Sequence, residues 1–326
     1  MGLFDRFRET IFLKEDSDLE HQIEDLKNIP NYEKNKNILK EIKLLEIGLQ
    51  GEKEIAFELK NANIGMYVLH DITIKFEDLV AHIDYIIITK GYTYLVECKN
   101  LIGNITVDNK GEFRREYEIN GLKYKEAIYS PYTQAARHKE ILKKRWLKNN
   151  NKLIIALREN AFDSLWYKPL VVLSNSKSLL NTKYAPKEIK SKTIRVDQLV
   201  RYIQEDLKRY DRDLYCSKKS MLEQANQFLE IHVDEYASIA DKYRISNNNS
   251  LEEIKDTFKK YRKEKSNQMK VPAYYIFTDK ELDKIIELKP DNLNSLKKLK
   301  ILSDIKIQYH GQEIVDILNK FFSKEE

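Results

Sequence analysis

Two carboxylates and a lysine stand in a pair of strand-like apolar runs. Asp84 lies within the aliphatic and aromatic residues 83–88, and Glu97 and Lys99 end the next such run, which begins at residue 92. A carboxylate inside an apolar strand is costly unless something pairs with it. These two runs therefore contain the strongest candidates for active-site residues.

Spacing predicts how these groups meet. The turn-forming residues 89–91 separate the runs, and we expect an antiparallel hairpin in which Ile88 lies opposite Thr93. Asp84 then lies opposite Glu97, with Cβ atoms about 5 Å apart. Because side chains alternate along a strand, Lys99 shares the face of Glu97.

Two carboxylates at this distance repel each other unless a cation lies between them. Hard oxygen ligands favour Mg²⁺ or Mn²⁺, which would polarise a phosphate and activate water, and Lys99 would hold the water or the scissile phosphate. An ordinary ion pair of Lys99 with Asp84 or Glu97 is the alternative, because short motifs often match by chance. The Glu-x-Lys pattern itself recurs in helix-like stretches, at Glu41, Glu58, Glu188, Glu253 and Glu287.

Bulk properties narrow the class of protein. The 326 residues are enough for one or two domains, and the net charge of +5 permits an acidic partner without demanding one. The sequence contains no run of eighteen apolar residues, so no membrane span is expected. Cys98 and Cys216 lie far apart, and six histidines are scattered without zinc spacing. We expect a cytoplasmic protein with reduced cysteines and no membrane partner.

The order of elements indicates an α/β domain followed by an all-helical bundle. Helical patterns before residue 48 give way to a new helix at Gly51, then to a series of strands, a helix from Pro131, and further strands at 153–156 and 170–173. A long helical pattern covers 217–243, and residues 246–250 are the best linker candidate. Four helices are expected after it, one opened by a capping box at Thr278 and the last at 311–322.

The first part of the chain resembles the nuclease-related domain, NERD, a branch of the restriction-endonuclease-like fold. Five blocks carry this resemblance, and they are Gly51-Glu52, Ala81-His82-Ile83-Asp84-Tyr85, Leu95-Val96-Glu97-Cys98-Lys99-Asn100, Gly103-Asn104-Ile105 and Ser130-Pro131-Tyr132-Thr133-Gln134 with His138. The resemblance implies a mixed sheet flanked by helices. It also implies that Glu52, Asp84 and Glu97 bind the metal, that Lys99 is catalytic and that Gln134 positions DNA or water.

The last part resembles the helicase and RNase D C-terminal domain, HRDC, an all-helical module associated with nucleic-acid binding. The matching residues include Phe258, Tyr261, Arg262, Val271-Pro272, Tyr275-Ile276-Phe277-Thr278-Asp279 and Tyr309-His310-Gly311. Lys259, Lys260, Arg262 and Lys263 are the candidate phosphate contacts, and a solvated face neutralised by nearby acids is the alternative. Residues 301–303 replace the Gly-x-Gly turn that the family often has, which puts contacts through that turn in doubt.

Together these features predict four segments: a helical N-terminal extension at 1–45, the nuclease-like domain at 46–205, a helical linker at 206–250 and the HRDC-like domain at 251–326. The predicted function is a Mg²⁺-dependent deoxyribonuclease, an endonuclease or nickase, in DNA repair or in defence against foreign DNA. The alternative is a catalytically inactive DNA-binding or adaptor protein on the same fold. RNA as substrate and the oligomeric state are left open.

Overall fold

The computed structural model describes residues 7–30, 32–162, 166–211, 214–234, 236–243 and 251–322. Contacts divide the chain into two compact units, the first ending at Ser238 and the second beginning at Ile239. The linker predicted at 246–250 lies outside the described residues.

The strands of the first unit are β1 Thr10–Lys14, β2 Met66–Phe76, β3 Leu79–Thr89, β4 Thr93–Lys99, β5 Asn104–Val107, β6 Phe113–Ile119, β7 Leu122–Ile128, β8 Tyr167–Leu173, β9 Leu179–Asn181 and β10 Thr193–Arg195. A six-stranded sheet in the order β1-β2-β3-β4-β8-β10 forms the centre of this unit, and a smaller sheet has the order β7-β6-β5-β9. The described helices are α1 Asp18–Lys27, α2 Lys36–Lys60, α3 Pro131–Asn149, α4 Lys152–Ala161, α5 Lys187–Ser191, α6 Leu199–Arg209, α7 Lys218–Ile231, α8 Leu251–Met269, α9 Asp279–Leu288, α10 Leu293–Lys298 and α11 Asp304–Phe322.

The central hairpin has the predicted register. β3 and β4 pair antiparallel, with Ile88 opposite Thr93 and Tyr85 opposite Val96. On its other side β4 pairs parallel with β8, where Glu97 lies beside Val171. The sheet is therefore mixed, and the predicted α/β class is confirmed.

Helices cover both faces of this sheet. Ile55 and Leu59 of α2 pack against Val96 on one face, together with α6. Ile141 of α3 and Phe228 of α7 pack on the other face. The end of β4, where the candidate residues lie, is thus enclosed between helices of the two layers.

Two predicted elements were wrong. No new helix opens at Gly51, because α2 runs unbroken through Gly48 and Gly51. Residues 153–156 lie in α4, where the Asn151 side chain accepts a hydrogen bond from Ile154 N and caps the helix. In such a short aliphatic run, apolar composition cannot separate strand from helix.

The first unit also extends beyond the predicted limits of 46 and 205. Strand β1 adds in parallel to β2, and α7 buries Met221 and Phe228 against the sheet. The expected long helix at 217–243 ends at Ile231. Strand β7, which the sequence analysis missed, pairs with β6 through a two-residue turn at Asn120-Gly121, both with positive φ.

The second unit is a helical bundle, as predicted. Phe258 of α8, Phe277 and Leu318 of α11 are buried in its core. The capping box at Thr278 is present, since Thr278 Oγ1 accepts from Glu281 N while Glu281 Oε2 accepts from Thr278 N. The last helix begins at Asp304 rather than 311. Within the described residues, no helix is both long and apolar enough to cross a membrane.

Gly51 is required by close packing, which gives a test. A Cβ at Gly51 would lie 2.5 Å from Ser174 Oγ and 2.7 Å from Asn100 Cβ, whereas at Gly48 it would meet only a methyl of Leu19 at 3.2 Å. Gly51→Ala should destabilise the protein by about 1–3 kcal/mol through overpacking. Gly48→Ala is the matched control in the same helix, where a gain in helix propensity of about 1 kcal/mol offsets a small shift of Leu19. Urea unfolding measures both, and equal effects would contradict the packing argument.

Candidate active site

The hairpin brings Asp84 and Glu97 to adjacent places on β3 and β4. The paired register ends at Tyr85–Val96, and Asp84 and Glu97 are the next residues on their two strands. Asp84 Oδ2 accepts a hydrogen bond of 2.6 Å from Cys98 N, which fixes its carboxylate against β4. Glu97 is only 1% exposed. Among the described atoms, its Oε2 has no hydrogen-bond partner.

The electrostatics of this pair follow from burial and proximity. Asp84 is partly exposed, but protein atoms surround its carboxylate and remove it from water. This desolvation, together with the charge of Glu97, raises the pKa of Asp84 well above its ordinary value. Burial also raises the pKa of Glu97, against the opposing charge of Lys99. Two acids with raised pKa values in one place form a site that favours an added positive charge.

Lys99 supplies part of that charge. Its Nζ lies 2.5 Å from Glu97 Oε1, and its side chain is 30% exposed. Burial disfavours the ammonium, but the charge of Glu97 outweighs it, and the pKa of Lys99 is raised. The lysine is therefore charged and reaches solvent while bound to Glu97. This is the strand-end ion pair that the sequence left as an alternative, and it lies beside the Asp84 carboxylate.

Glu52 is held by a different set of partners. It lies in α2 and is buried, and its Oε2 accepts hydrogen bonds from Ser17 Oγ at 3.0 Å and from His70 Nε2 at 2.9 Å. The charge of Glu52 contributes to the raised pKa of Asp84, so the two carboxylates are within electrostatic range. Glu52 is thus near the pair, with one oxygen already engaged.

His70 connects Glu52 to the main chain. Its Nδ1 lies 2.9 Å from the Glu15 carbonyl oxygen, which can only accept, and its Nε2 faces the Glu52 carboxylate. Both ring nitrogens thus face acceptor oxygens, an arrangement that favours a proton on each. Burial disfavours the imidazolium, but the hydrogen bond to Glu52 and its charge outweigh burial, and the pKa of His70 is raised.

Helix α3 places Gln134 and His138 over the same sheet. Ser130 caps the helix by accepting from Thr133 N, Gln134 is half-buried in the first turn, and His138 is buried one turn later. Burial, followed by the charges of His82 and Lys99, lowers the pKa of His138 to about 4. His138 is therefore neutral at pH 7 and close enough to sense Lys99.

The donor set fits a hard divalent cation only in part. Within the described part of the chain, no three or more His, Cys, Asp or Glu side chains are grouped closely enough to hold a metal ion. Asp84 and Glu97 fit as a pair of oxygen ligands, because the buried Glu97 Oε2 lacks a partner among the described atoms and the charge of Glu97 makes ionisation of Asp84 more costly. Glu52, the third predicted ligand, does not form a group of three with Asp84 and Glu97.

Sequence reasoning missed Ser17 and His70. His70 carried the same signal as Asp84, since it is a polar residue within an apolar strand of 11 residues. Ser17 gave only the signal of a helix N-cap, which it is, because its Oγ also accepts from Leu19 N. A contact between residues 35 positions apart has no local signature.

In the second unit, the four candidate basic residues separate into two groups. Arg262 is used inside the unit: it donates to the Phe277 carbonyl at 3.1 Å and pairs with Asp279 at 2.7 Å. Lys259, Lys260 and Lys263 are exposed on α8. The geometry therefore favours the three lysines over Arg262 as a surface for an anionic partner.

The raised pKa of Asp84 predicts how stability depends on pH. The folded protein holds the Asp84 proton more tightly than the unfolded chain does, so ionisation costs folding stability as pH rises above the ordinary value of 3.8. Without added metal, Asp84→Asn should unfold at higher urea than wild type at pH 7, because its amide oxygen keeps the Cys98 hydrogen bond without a charge. Below pH 3.8 the two proteins should converge.

Asp108→Asn is a matched control for which we expect the opposite change in stability at pH 7. The backbone N–H of Glu112 holds the pKa of Asp108 below its ordinary value, so its ionised form is favoured by folding. That substitution should lower the urea midpoint at pH 7. An Asp84→Asn protein no more stable than wild type at pH 7 would show that the carboxylate pair is not strained.

Two protein-family models match the chain. The model of the nuclease-related domain matches residues 47–174, and that of the HRDC domain matches residues 256–318. No curated protein and no solved structure matches the chain significantly. The first match spans the hairpin of Asp84 and Glu97, and the second spans most of the helical unit. The chain therefore carries a nuclease-related domain followed by an HRDC domain.

Proposed function

We propose that the protein is a Mg²⁺-dependent nuclease that hydrolyses phosphodiester bonds of DNA. The observation that carries the proposal is the state of the two carboxylates at the end of the hairpin. Asp84 is bound to Cys98 N, the residue after Glu97, and Glu97 has Lys99 on one oxygen and no hydrogen-bond partner for the other among the described atoms. A buried carboxylate oxygen without a donor is costly, and a cation would remove that cost.

Each residue has a distinct role in this proposal. Asp84 and Glu97 would hold the cation, which when bound supplies Lewis-acid polarisation of the phosphate and a more acidic water. Lys99, charged and partly exposed, would orient the attacking water or a phosphate oxygen. Glu52 would complete the acid set from the neighbouring helix, and Gln134 in the first turn of α3 would position DNA or water.

The helical unit would hold the nucleic acid. Its exposed lysines Lys259, Lys260 and Lys263 lie within five residues of one another on α8. Cationic side chains that neutralise phosphates add affinity without reading sequence. In this role the unit raises the local concentration of substrate for the nuclease-related domain.

A second function, binding without cleavage, is favoured by one observation. Glu97 is already neutralised by Lys99, and the described residues hold no group of three metal-ligating side chains. A domain in that condition serves as a DNA-binding or adaptor module. Cleavage assays separate the two functions.

Cleavage should depend on the carboxylate pair. Asp84→Asn and Glu97→Gln each remove one anionic ligand, and each should lower the rate of DNA cleavage in Mg²⁺ or Mn²⁺ by at least about 100-fold, the size of effect seen when a group that stabilises the transition state is removed. Supercoiled, linear and single-stranded DNA, with RNA of matching sequence, are assayed together.

The control is Glu287→Gln, which alters another Glu-x-Lys sequence on an exposed helical face. It should cut like wild type. If wild type cuts none of these substrates, or if Asp84→Asn cuts equally well, the proposal fails. Salt-sensitive DNA binding that is unchanged in Asp84→Asn would then favour the binding module.

The lysine surface makes a separate prediction about affinity. Replacing Lys259, Lys260 and Lys263 by Gln should weaken DNA binding and reduce the slope of log affinity against log salt by up to about 0.9 for each phosphate that the variant no longer neutralises. Arg262→Gln is the contrasting variant, which should instead lower the unfolding temperature because its carbonyl and Asp279 contacts are internal. Fluorescence anisotropy at several salt concentrations measures the first effect. An unchanged slope in the triple variant would exclude this surface.

A further inference from the structure

We propose that Ser17 and His70 are positioning residues that orient Glu52 for the cation, and that the segment before the matched domain is therefore part of the active site. The inference rests on the proposed function. Ser17 lies 30 residues before the first residue of the family match. His70 lies within the match, and its second ring nitrogen is bound by that same preceding segment.

Ser17 holds Glu52 from the start of α1. Its hydroxyl donates to Glu52 Oε2 at 3.0 Å and accepts from Leu19 N at 3.2 Å. The residue is only 2% exposed. One buried hydroxyl thus caps α1 and binds the carboxylate, so the position of Glu52 is tied to the position of that helix.

His70 holds the same oxygen from β2. Its Nε2 lies 2.9 Å from Glu52 Oε2, and its ring stacks on Tyr85 at 4.4 Å between centroids with planes 10° apart. The Tyr85 hydroxyl in turn donates to the Glu52 carbonyl oxygen at 2.9 Å. Glu52 is therefore restrained at both its main chain and its side chain.

Backbone groups of Glu15 and Asp18 hold the segment before the matched domain on β2. The Glu15 carbonyl meets His70 Nδ1 at 2.9 Å, and Asp18 N donates to Asp71 Oδ2 at 2.6 Å. Asp71 has φ of 54°, a left-handed conformation that costs energy for a residue other than glycine. Such a strained residue next to His70 persists because these contacts hold it in place.

Both side-chain hydrogen bonds that the described residues make to Glu52 fall on Oε2, so in this proposal Oε1 is the oxygen that would bind the cation. Partners of this kind, which bind a metal ligand rather than the metal, orient the ligand and are worth about 10–100-fold in metal affinity.

The test is Mn²⁺ affinity of the full chain without DNA, measured by calorimetry. Ser17→Ala and His70→Phe, the second of which keeps a ring on Tyr85, should each weaken Mn²⁺ binding by about 10-fold. Thr10→Val is the matched control. Thr10 Oγ1 binds the Leu59 and Ile64 carbonyls, so this variant loosens the same segment without touching Glu52. It should bind Mn²⁺ like wild type.

A double-mutant cycle separates positioning from general support of the fold. In a Glu52→Gln background, Ser17→Ala and His70→Phe should cause no further weakening of Mn²⁺ binding, because their effect passes through Glu52. Ser17→Thr, which keeps the hydroxyl, should restore affinity. If wild type binds no Mn²⁺, the proposed function fails and this inference with it. If wild type binds Mn²⁺ but Thr10→Val weakens binding as much as Ser17→Ala, or if the effects add in the Glu52→Gln background, only the inference is overturned.

Discussion

Burial of the Glu97 carboxylate at the end of a central strand is the constraint around which the first unit is arranged. Desolvation raises the pKa of this acid, and its charge in turn raises the pKa of Asp84 on the neighbouring strand. Only Lys99 offsets the charge directly among the described residues. A sheet keeps such a group only when its surroundings are rigid enough to prevent the carboxylates from separating.

That rigidity comes from both sides of β4. Strand β8 runs parallel along it as far as Lys99 and Leu173, and Ser174 N then donates to the Lys99 carbonyl. Helix α2 approaches the same end so closely that Gly51 has no room for a side chain. The geometry of the acids is thus set by backbone packing rather than by the acids themselves, which is what a site that must hold a fixed arrangement of ligands requires.

Sequence reasoning found what is encoded locally. The register of the central hairpin followed from turn chemistry and from the alternation around Asp84, and the capping box at Thr278 followed from a four-residue pattern. It failed where tertiary context decides. Gly51 looks like a helix start but marks close packing, and residues 153–156 look like a strand but are capped as a helix by Asn151. The roles of Ser17 and His70 depend on contacts across 35 and 18 positions.

The parallel strand β1 has a consequence for how this domain is handled. It pairs with β2 along the outer side of the sheet. A chain cut back to the limits of the family match at residue 47 would lack that partner and expose the hydrogen-bonding edge of β2 along residues 66–69, which are all buried. Bare edges of this kind recruit other strands, so the trimmed domain would be prone to aggregate. Strand β1 thus covers a sheet edge of the nuclease-related domain that would otherwise be exposed.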